Sequence, residues 1–228
     1  MRVKIHHEGR GILITGFILL VIINLPLWLC LFNSIIAIPI VVTCVTLTIY
    51  LLAVNFFRSP HRIFSGNQEN AVVACADGKI VALEKTFEKE YLKCDTIQIS
   101  IFMSPMNVHA NWFPVNGKVI FVEHQPGRFQ AAFLPKSSTE NERSTVVIET
   151  PDGHKILMRQ IAGAMARRIV TYASVGDDAC IEDQMGFIKF GSRVDVYLPT
   201  DTEILVHLGD KTVGGISLIG RLSKKINE

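Results

Sequence analysis

The feature that most constrains this chain is a long segment near its N-terminus without a single charged side chain. From Gly11 to Phe57 there is no Asp, Glu, Lys or Arg, whereas a helix needs only ~20 apolar residues to cross a bilayer. Polar and helix-breaking residues cluster near the middle of the segment, at Asn24, Pro26, Asn33 and Ser34. The pattern predicts two transmembrane helices, over about residues 11–31 and 35–56, that form a membrane hairpin within a domain 1–57.

The length of this segment disfavours two other interpretations. A secretory signal peptide has a shorter apolar core and a small-residue cleavage site, so the hairpin is expected to stay attached. A hairpin buried in a large globular core is the second alternative, and the complete lack of charge argues against it. Basic residues flank both outer ends of the segment, at Arg2, Lys4, Arg10, Arg58 and Arg62. The positive-inside rule therefore predicts a protein of the cell (inner) membrane whose remaining domain lies on the cytoplasmic face.

The rest of the chain, residues 58–228, mixes charged and apolar residues as a soluble domain does. The net charge of +2 is small and the basic residues form no single stripe, so no nucleic-acid partner is expected. The five cysteines include no C-x-x-C pair, which indicates neither a disulfide framework nor a metal site.

Short β-prone runs separated by turn signals follow Pro60. The predicted strands cover residues 71–76, 80–84, 96–103, 117–123, 144–149, 156–161, 187–190, 193–198 and 203–208. Asp77-Gly78 and Asn116-Gly117 are typical turn pairs between them. The pattern predicts a mainly β fold, an antiparallel β-rich domain, with one short helix over 161–173 and an exposed loop over 136–144.

A Gly-Ser pair, Gly191-Ser192, separates two of these predicted strands. Glycine weakens a strand, and it usually marks a bend or a close approach of another group. A serine hydroxyl can attack the carbonyl of the residue before it, and glycine leaves that carbonyl sterically open. Taken alone, the pair is better explained as an ordinary β-bulge.

Gly191-Ser192 is the last of six motifs that together resemble the short, archaeal or bacterial form of the phosphatidylserine decarboxylase proenzymes. The other five motifs, in chain order, are FFRSPHR at 56–62, ADGKI at 76–80, FMSPMNVH at 102–109, NER at 141–143 and IAG at 161–163. The motifs run from Phe56 to Pro199 in the order and spacing of that family. Six motifs in series are specific where any one of them is weak.

The resemblance implies a pyruvoyl-dependent lyase that is made from a precursor. Ser192 would attack Gly191, elimination from the resulting ester would give dehydroalanine, and hydrolysis would leave a pyruvoyl group at position 192. The chain would thereby be cut into a β chain 1–191 and an α chain 192–228 that remain associated. The pyruvoyl carbonyl would form a Schiff base with the amine of phosphatidylserine and release carbon dioxide and phosphatidylethanolamine. Residues 58–228 would be the decarboxylase domain.

Two further residues receive roles from the resemblance. Asp77 matches the aspartate that acts as base in self-cleavage, although Asp-Gly by itself is most often a plain turn. His109 matches the histidine of the decarboxylation step, where we expect it to protonate the substrate carbon. Longer family members carry a second histidine where this chain has Trp112. Either Asp77 works without that imidazole, or His124 or His61 replaces it.

The lipid phosphate or carboxylate calls for a cation nearby. The candidates for substrate binding are Arg143 and Asn141 of the NER motif, Arg193 and Lys189. Each arginine or lysine, considered singly, is more typical of a solvated surface.

Two interpretations without catalysis remain open. One is an anchored β-domain that binds a lipid head group or a protein partner. The other is a biotinyl or lipoyl carrier domain, suggested by the turn at 208–215 and disfavoured because the turn has no convincing acceptor lysine flanked by hydrophobic residues. Gly191-Ser192, Asp77 and His109 together favour the enzyme. Its expected partners are phosphatidylserine and the bilayer, and a homo-oligomer is left open.

Overall fold

The computed structural model describes residues 4–31, 35–127, 141–163, 168–189 and 192–224. The chain divides into two units, Met1–His61 and Arg62–Glu228. The first contains the two predicted apolar helices, α1 over His7–Leu31 and α2 over Ala37–Phe56. Both are long and apolar enough to cross a membrane, and most of their large apolar side chains are exposed.

Partly buried polar side chains join the two helices of the hairpin. Asn24 donates from Nδ2 to Thr46 Oγ1 at 3.0 Å and accepts at Oδ1 from Thr43 Oγ1 at 2.7 Å. Trp28 Nε1 donates to Thr43 Oγ1 at 3.0 Å. In an apolar surrounding such side-chain hydrogen bonds hold neighbouring helices together. Asn24 is therefore a contact between the helices and lies inside α1, not at the end of it.

The second unit contains fourteen strands among its described residues, and every strand pair is antiparallel. An eight-stranded sheet has the order β13-β2-β3-β11-β7-β6-β5-β9, and two three-stranded sheets have the orders β1-β14-β12 and β4-β10-β8. The strands are β1 Ala71–Val73, β2 Gly78–Glu88, β3 Cys94–Met103, β4 Ala110–Trp112, β5 Gly117–Gln125, β6 Arg143–Glu149, β7 Lys155–Ala162, β8 Arg168–Thr171, β9 Asp178–Ala179, β10 Gln184–Lys189, β11 Ser192–Pro199, β12 Glu203–Ile204, β13 Lys211–Thr212 and β14 Leu218–Arg221. The mainly β prediction is confirmed.

Strand β11 lies in the middle of the large sheet, between β3 and β7. Side chains alternate between the two faces of a strand. Val194, Val196 and Leu198 point into the main apolar core, whereas Tyr197 belongs to a separate cluster on the other face. The strand is buried on both faces along nearly its whole length.

Two local predictions are wrong. Residues 161–173 do not form a helix where they are described, because β7 continues to Ala162 and β8 covers Arg168–Thr171. The predicted exposed loop over 136–144 fails at its end, where Asn141 and Ser144 are fully buried; positions 136–140 lie outside the described residues.

Candidate active site

Ser192 is the first residue of β11, and its side chain is fully buried. It pairs with Met103 of β3 on one side and with Ala162 of β7 on the other. By strand alternation its side chain shares the core face with Val194. Its hydroxyl donates to Met103 Sδ at 3.2 Å. A thioether is a weak acceptor and no base, so the predicted attack by Ser192 would need another group to take the serine proton. Gly191, the other half of the predicted cleavage site, lies outside the described residues.

Asp77 lies between β1 and β2, and its carboxylate is held from two sides. Arg62 donates from Nη1 to Oδ1 at 2.5 Å and from Nη2 to Oδ2 at 2.8 Å. The backbone N–H of Gly214 donates to Oδ1 at 2.9 Å. Only 6% of the Arg62 side chain and 12% of the Asp77 side chain are exposed. The aspartate therefore forms a buried bidentate ion pair.

Asp77 and Ser192 lie on either side of strand β3. The register joins Lys79 of β2 to Phe102 of β3, and Phe102 to Arg193 of β11. Neighbouring strands lie about 4.8 Å apart, so the backbones at positions 78 and 192 are separated by roughly 10 Å. The fold brings the two residues into one region but not into direct contact.

Trp112 stands where longer family members carry their second histidine. Its ring lies 4.3 Å from the Arg62 guanidinium carbon, a cation–π contact. The backbone of 214–215 packs on the same ring, and a Cβ at Gly214 would lie only 2.7 Å from it. The indole thus supports the Arg62–Asp77 pair and supplies no base. His124, one of the two proposed replacements for that histidine, is half-exposed on β5 and pairs with Glu142 at 3.3 Å. His61 is exposed.

His109 is fully buried just before β4. Its backbone carbonyl accepts a hydrogen bond from Ile188 N at 3.2 Å, on the strand that leads toward Ser192. Its Nδ1 lies 3.0 Å from the carbonyl oxygen of Asn107. A carbonyl only accepts, so Nδ1 carries a proton. This contact fixes the orientation of the imidazole ring.

The three predicted substrate-binding residues differ in position. Asn141 is buried and donates from Nδ2 to the carbonyl of Ala162 at 2.7 Å, directly beside Ser192. The Arg143 side chain instead donates a hydrogen bond to Glu90 at 2.7 Å. Arg193 follows Ser192, so strand alternation places it on the opposite face, where it pairs with Asp195 at 2.9 Å. Lys189, also considered, is half-buried at the end of β10.

The opposite face of β11 carries a buried charged network around Arg159. This residue contacts Glu88 at 3.0 Å, Glu90 at 2.8 Å and the Tyr197 hydroxyl at 3.1 Å. Burial tends to lower the pKa of Arg159, but Tyr197, Glu90 and Glu88 outweigh it, so the pKa is raised. For the Tyr197 hydroxyl, burial raises the pKa, and the Asp195 charge adds to that effect.

The pKa of Glu88 is shifted in the opposite direction. Burial tends to raise its pKa, but backbone N–H groups of Tyr91, Leu92 and Glu90 and the Arg159 side chain stabilise the carboxylate. The pKa of Glu88 is therefore lowered. A groove of about 600 Å³ borders this network, on the face of β11 that Ser192 does not use. We interpret the network as structural.

Sequence reasoning missed most of the side chains that contact the predicted site. Arg62, Met103 and Trp112 all lie in or next to the quoted motifs, but their partners are distant in sequence. Within the described ranges, no group of three or more His, Cys, Asp or Glu side chains could hold a metal ion.

Comparisons with known proteins agree on one family. Residues 49–220 match the family model described as phosphatidylserine decarboxylase. The phosphatidylserine decarboxylase proenzyme of Parabacteroides distasonis is 56% identical over 221 residues, which cover 97% of this chain and 100% of the relative. That of Bacteroides thetaiotaomicron is 54% identical over 97% of this chain and 96% of its own length. The proenzyme of Amoebophilus asiaticus is 42% identical over 99% of both chains.

Proposed function

The chain belongs to the phosphatidylserine decarboxylase family, and from this premise we propose that it is a membrane-anchored carboxy-lyase. It would convert phosphatidylserine to phosphatidylethanolamine and carbon dioxide with a pyruvoyl group made from Ser192. The observation that carries the proposal is the place of Ser192, a fully buried serine that begins the central strand β11. A cut before this residue would leave the new terminal group at a strand boundary, held between β3 and β7. The residues present thus fit a pyruvoyl group at this position.

The sheet topology supports a cut chain whose two pieces stay together. Strands β11 to β14 all follow the proposed cut. Strand β11 is bonded to β3 and β7, β13 to β2, and β14 to β1. The piece 192–228 would therefore remain part of the sheets after the peptide bond is lost.

Self-cleavage would begin when Ser192 Oγ attacks the carbonyl carbon of Gly191. The peptide C–N bond breaks, an ester forms, and the serine nitrogen becomes an amine. Asp77 is the proposed base for the serine proton, since Oδ2 accepts one hydrogen bond, from Arg62, and retains a lone pair. Because about two strand spacings separate the residues, the proton would reach Asp77 through an intervening water.

Decarboxylation would follow at the same position. The pyruvoyl carbonyl supplies an electrophile for the amine of the lipid and withdraws the electrons that the departing carbon dioxide leaves behind. His109 would first take up a proton at Nε2 and then deliver it to the substrate carbon, with Nδ1 held by the Asn107 carbonyl. Arg143 and Arg193 would bind the lipid only by exchanging Glu90 or Asp195 for it, whereas Asn141 would hold the end of β7 beside the reaction site.

The apolar hairpin suits this substrate, because a diacyl lipid stays in the bilayer. Basic residues flank the hairpin on both outer sides, at Arg10 and Arg58. By the positive-inside rule the β-domain would work on the cytoplasmic face of the cell membrane.

The test is release of labelled carbon dioxide from vesicles that contain phosphatidylserine labelled in the serine carboxyl group. The full chain should release the label and form phosphatidylethanolamine, and Ser192→Ala should do neither. Ser100→Ala is the matched control, a buried serine on β3, and should remain active. Turnover by Ser192→Ala would contradict the proposal, and an inactive wild-type chain would favour a lipid-binding domain without catalysis.

A further inference from the structure

A hydrogen-bonded row of four neutral polar side chains runs through the apolar core toward Ser192. Asn111, Gln160 and Ser144 are fully buried, and Thr171 is half-buried. Gln160 belongs to β7 and lies on the same face as Ala162, the residue that pairs with Ser192. Buried polar groups in such a core cost free energy unless each finds a partner. These four residues find their partners in one another.

The hydrogen bonds among these four side chains all run in the same direction. Thr171 Oγ1 donates to Gln160 Oε1 at 2.9 Å, so its single proton is used and Ser144 Oγ must donate to Thr171 at 2.7 Å. Gln160 Nε2 donates to Asn111 Oδ1 at 2.8 Å. With its oxygen engaged, Asn111 must present its NH₂ group at the far end, where Nδ2 lies 3.6 Å from Met103 Sδ.

Asn111 and Ser192 meet at the same atom. Met103 Sδ accepts from Ser192 Oγ at 3.2 Å and from Asn111 Nδ2 at 3.6 Å. Sulfur is a weak acceptor, so an oxygen that gains negative charge nearby would attract the Asn111 N–H much more strongly. The amide is neutral and cannot act as a base. Its NH₂ group can only donate.

We propose that Asn111 is a catalytic hydrogen-bond donor for self-cleavage and that Gln160 is the positioning residue that fixes its orientation. The inference rests on the proposed function. After the acyl shift, Oγ is part of the ester. In the elimination a base removes the Cα proton, the Cβ–Oγ bond breaks, and Oγ leaves with the carboxylate of Gly191. Asn111 Nδ2 would stabilise the charge that develops on this oxygen.

The experiment follows cleavage of the full chain as it is synthesised without cells into lipid nanodiscs. Fragments are measured by mass over time, with and without hydroxylamine, which splits an ester into a Gly191 hydroxamate and a piece that still begins with serine. Asn111→Leu, and the nearly isosteric Asn111→Asp, should slow formation of the dehydroalanine-derived piece at least tenfold while the hydroxylamine-released piece increases.

Gln160→Met should slow the same step by a smaller factor, since Asn111 stays but loses its fixed orientation. Gln98→Met is the matched control, a buried glutamine on the opposite face of β3, and should cut at the wild-type rate. Wild-type rates in both Asn111 variants, or slowing without any hydroxylamine-released piece, would overturn the inference. If the wild-type chain itself is never cut at this bond, the proposed function fails instead.

Discussion

Replacing Arg62 by methionine should destabilise the β-domain by about 3–5 kcal/mol, because it leaves a buried carboxylate without its countercharge. Among the residues that the structure describes, only the Gly214 N–H, at 2.9 Å, would still bond Asp77. Methionine retains much of the aliphatic length of arginine, so lost packing contributes little. For a domain of this size each kcal/mol lowers Tm by roughly 2–4 °C, which gives an expected shift of about 6–20 °C. The stacking on Trp112 adds a smaller loss, on the order of 1 kcal/mol.

The assay is thermal unfolding in detergent, followed by tryptophan fluorescence, with every variant built on Ser192→Ala so that self-cleavage cannot differ among them. Combining Arg62→Met with Asp77→Asn should restore most of the loss, because the uncompensated charge is removed. Lys118→Met is the control: its pair with Asp178 has side chains 57% and 81% exposed and should matter by less than about 1 kcal/mol. Equal effects of Arg62→Met and Lys118→Met, or strict additivity in the double variant, would refute the reasoning.

Three further outcomes are expected. His109→Ala should reduce carbon dioxide release far more than fragment formation, and equal loss of both would make the residue structural. Because the pKa of Glu88 is lowered by folding, its contribution to stability is present above the unfolded pKa of about 4.3 and is lost as pH falls toward the folded value. The free energy of unfolding, measured with urea, should therefore fall less between pH 6 and pH 3.5 in Glu88→Gln than in the exposed control Glu84→Gln. Identical decreases would contradict the assignment. Gly186→Ala should lower stability by about 1–3 kcal/mol in thermal unfolding, since the new Cβ would lie 2.4 Å from the Val170 carbonyl oxygen; an unchanged Tm would contradict this packing.

The sequence predicts the large elements well because the residue patterns that indicate them extend over many positions. The uncharged segment indicates two helices, and those of the structure, His7–Leu31 and Ala37–Phe56, extend or trim the predicted ends by a few residues. Strands of two to four residues, such as β9 and β13, are too short to show a period. The wrong prediction of a helix over 161–173 has a physical explanation. Strand β7 is buried on both faces, so it lacks the alternation that identifies a half-exposed strand.

The candidate site was predictable only in part. The motifs single out Ser192, Asp77 and His109, but they contain no information on contacts between distant positions. Asp77 is held by Gly214, which lies 137 residues further along the chain. Gln160 contacts Asn111 across 49 residues. The position of Arg193 was predictable, because it directly follows Ser192 and neighbouring side chains of an extended segment point to opposite faces.

The most direct test of the proposed chemistry is the intact mass of the purified full chain in detergent. We expect two fragments, one that ends at Gly191 and one of about 4 kDa that begins at position 192 with a pyruvoyl group. A single unmodified chain of 25.4 kDa, unchanged after incubation with phosphatidylserine vesicles, would contradict a self-processed lyase.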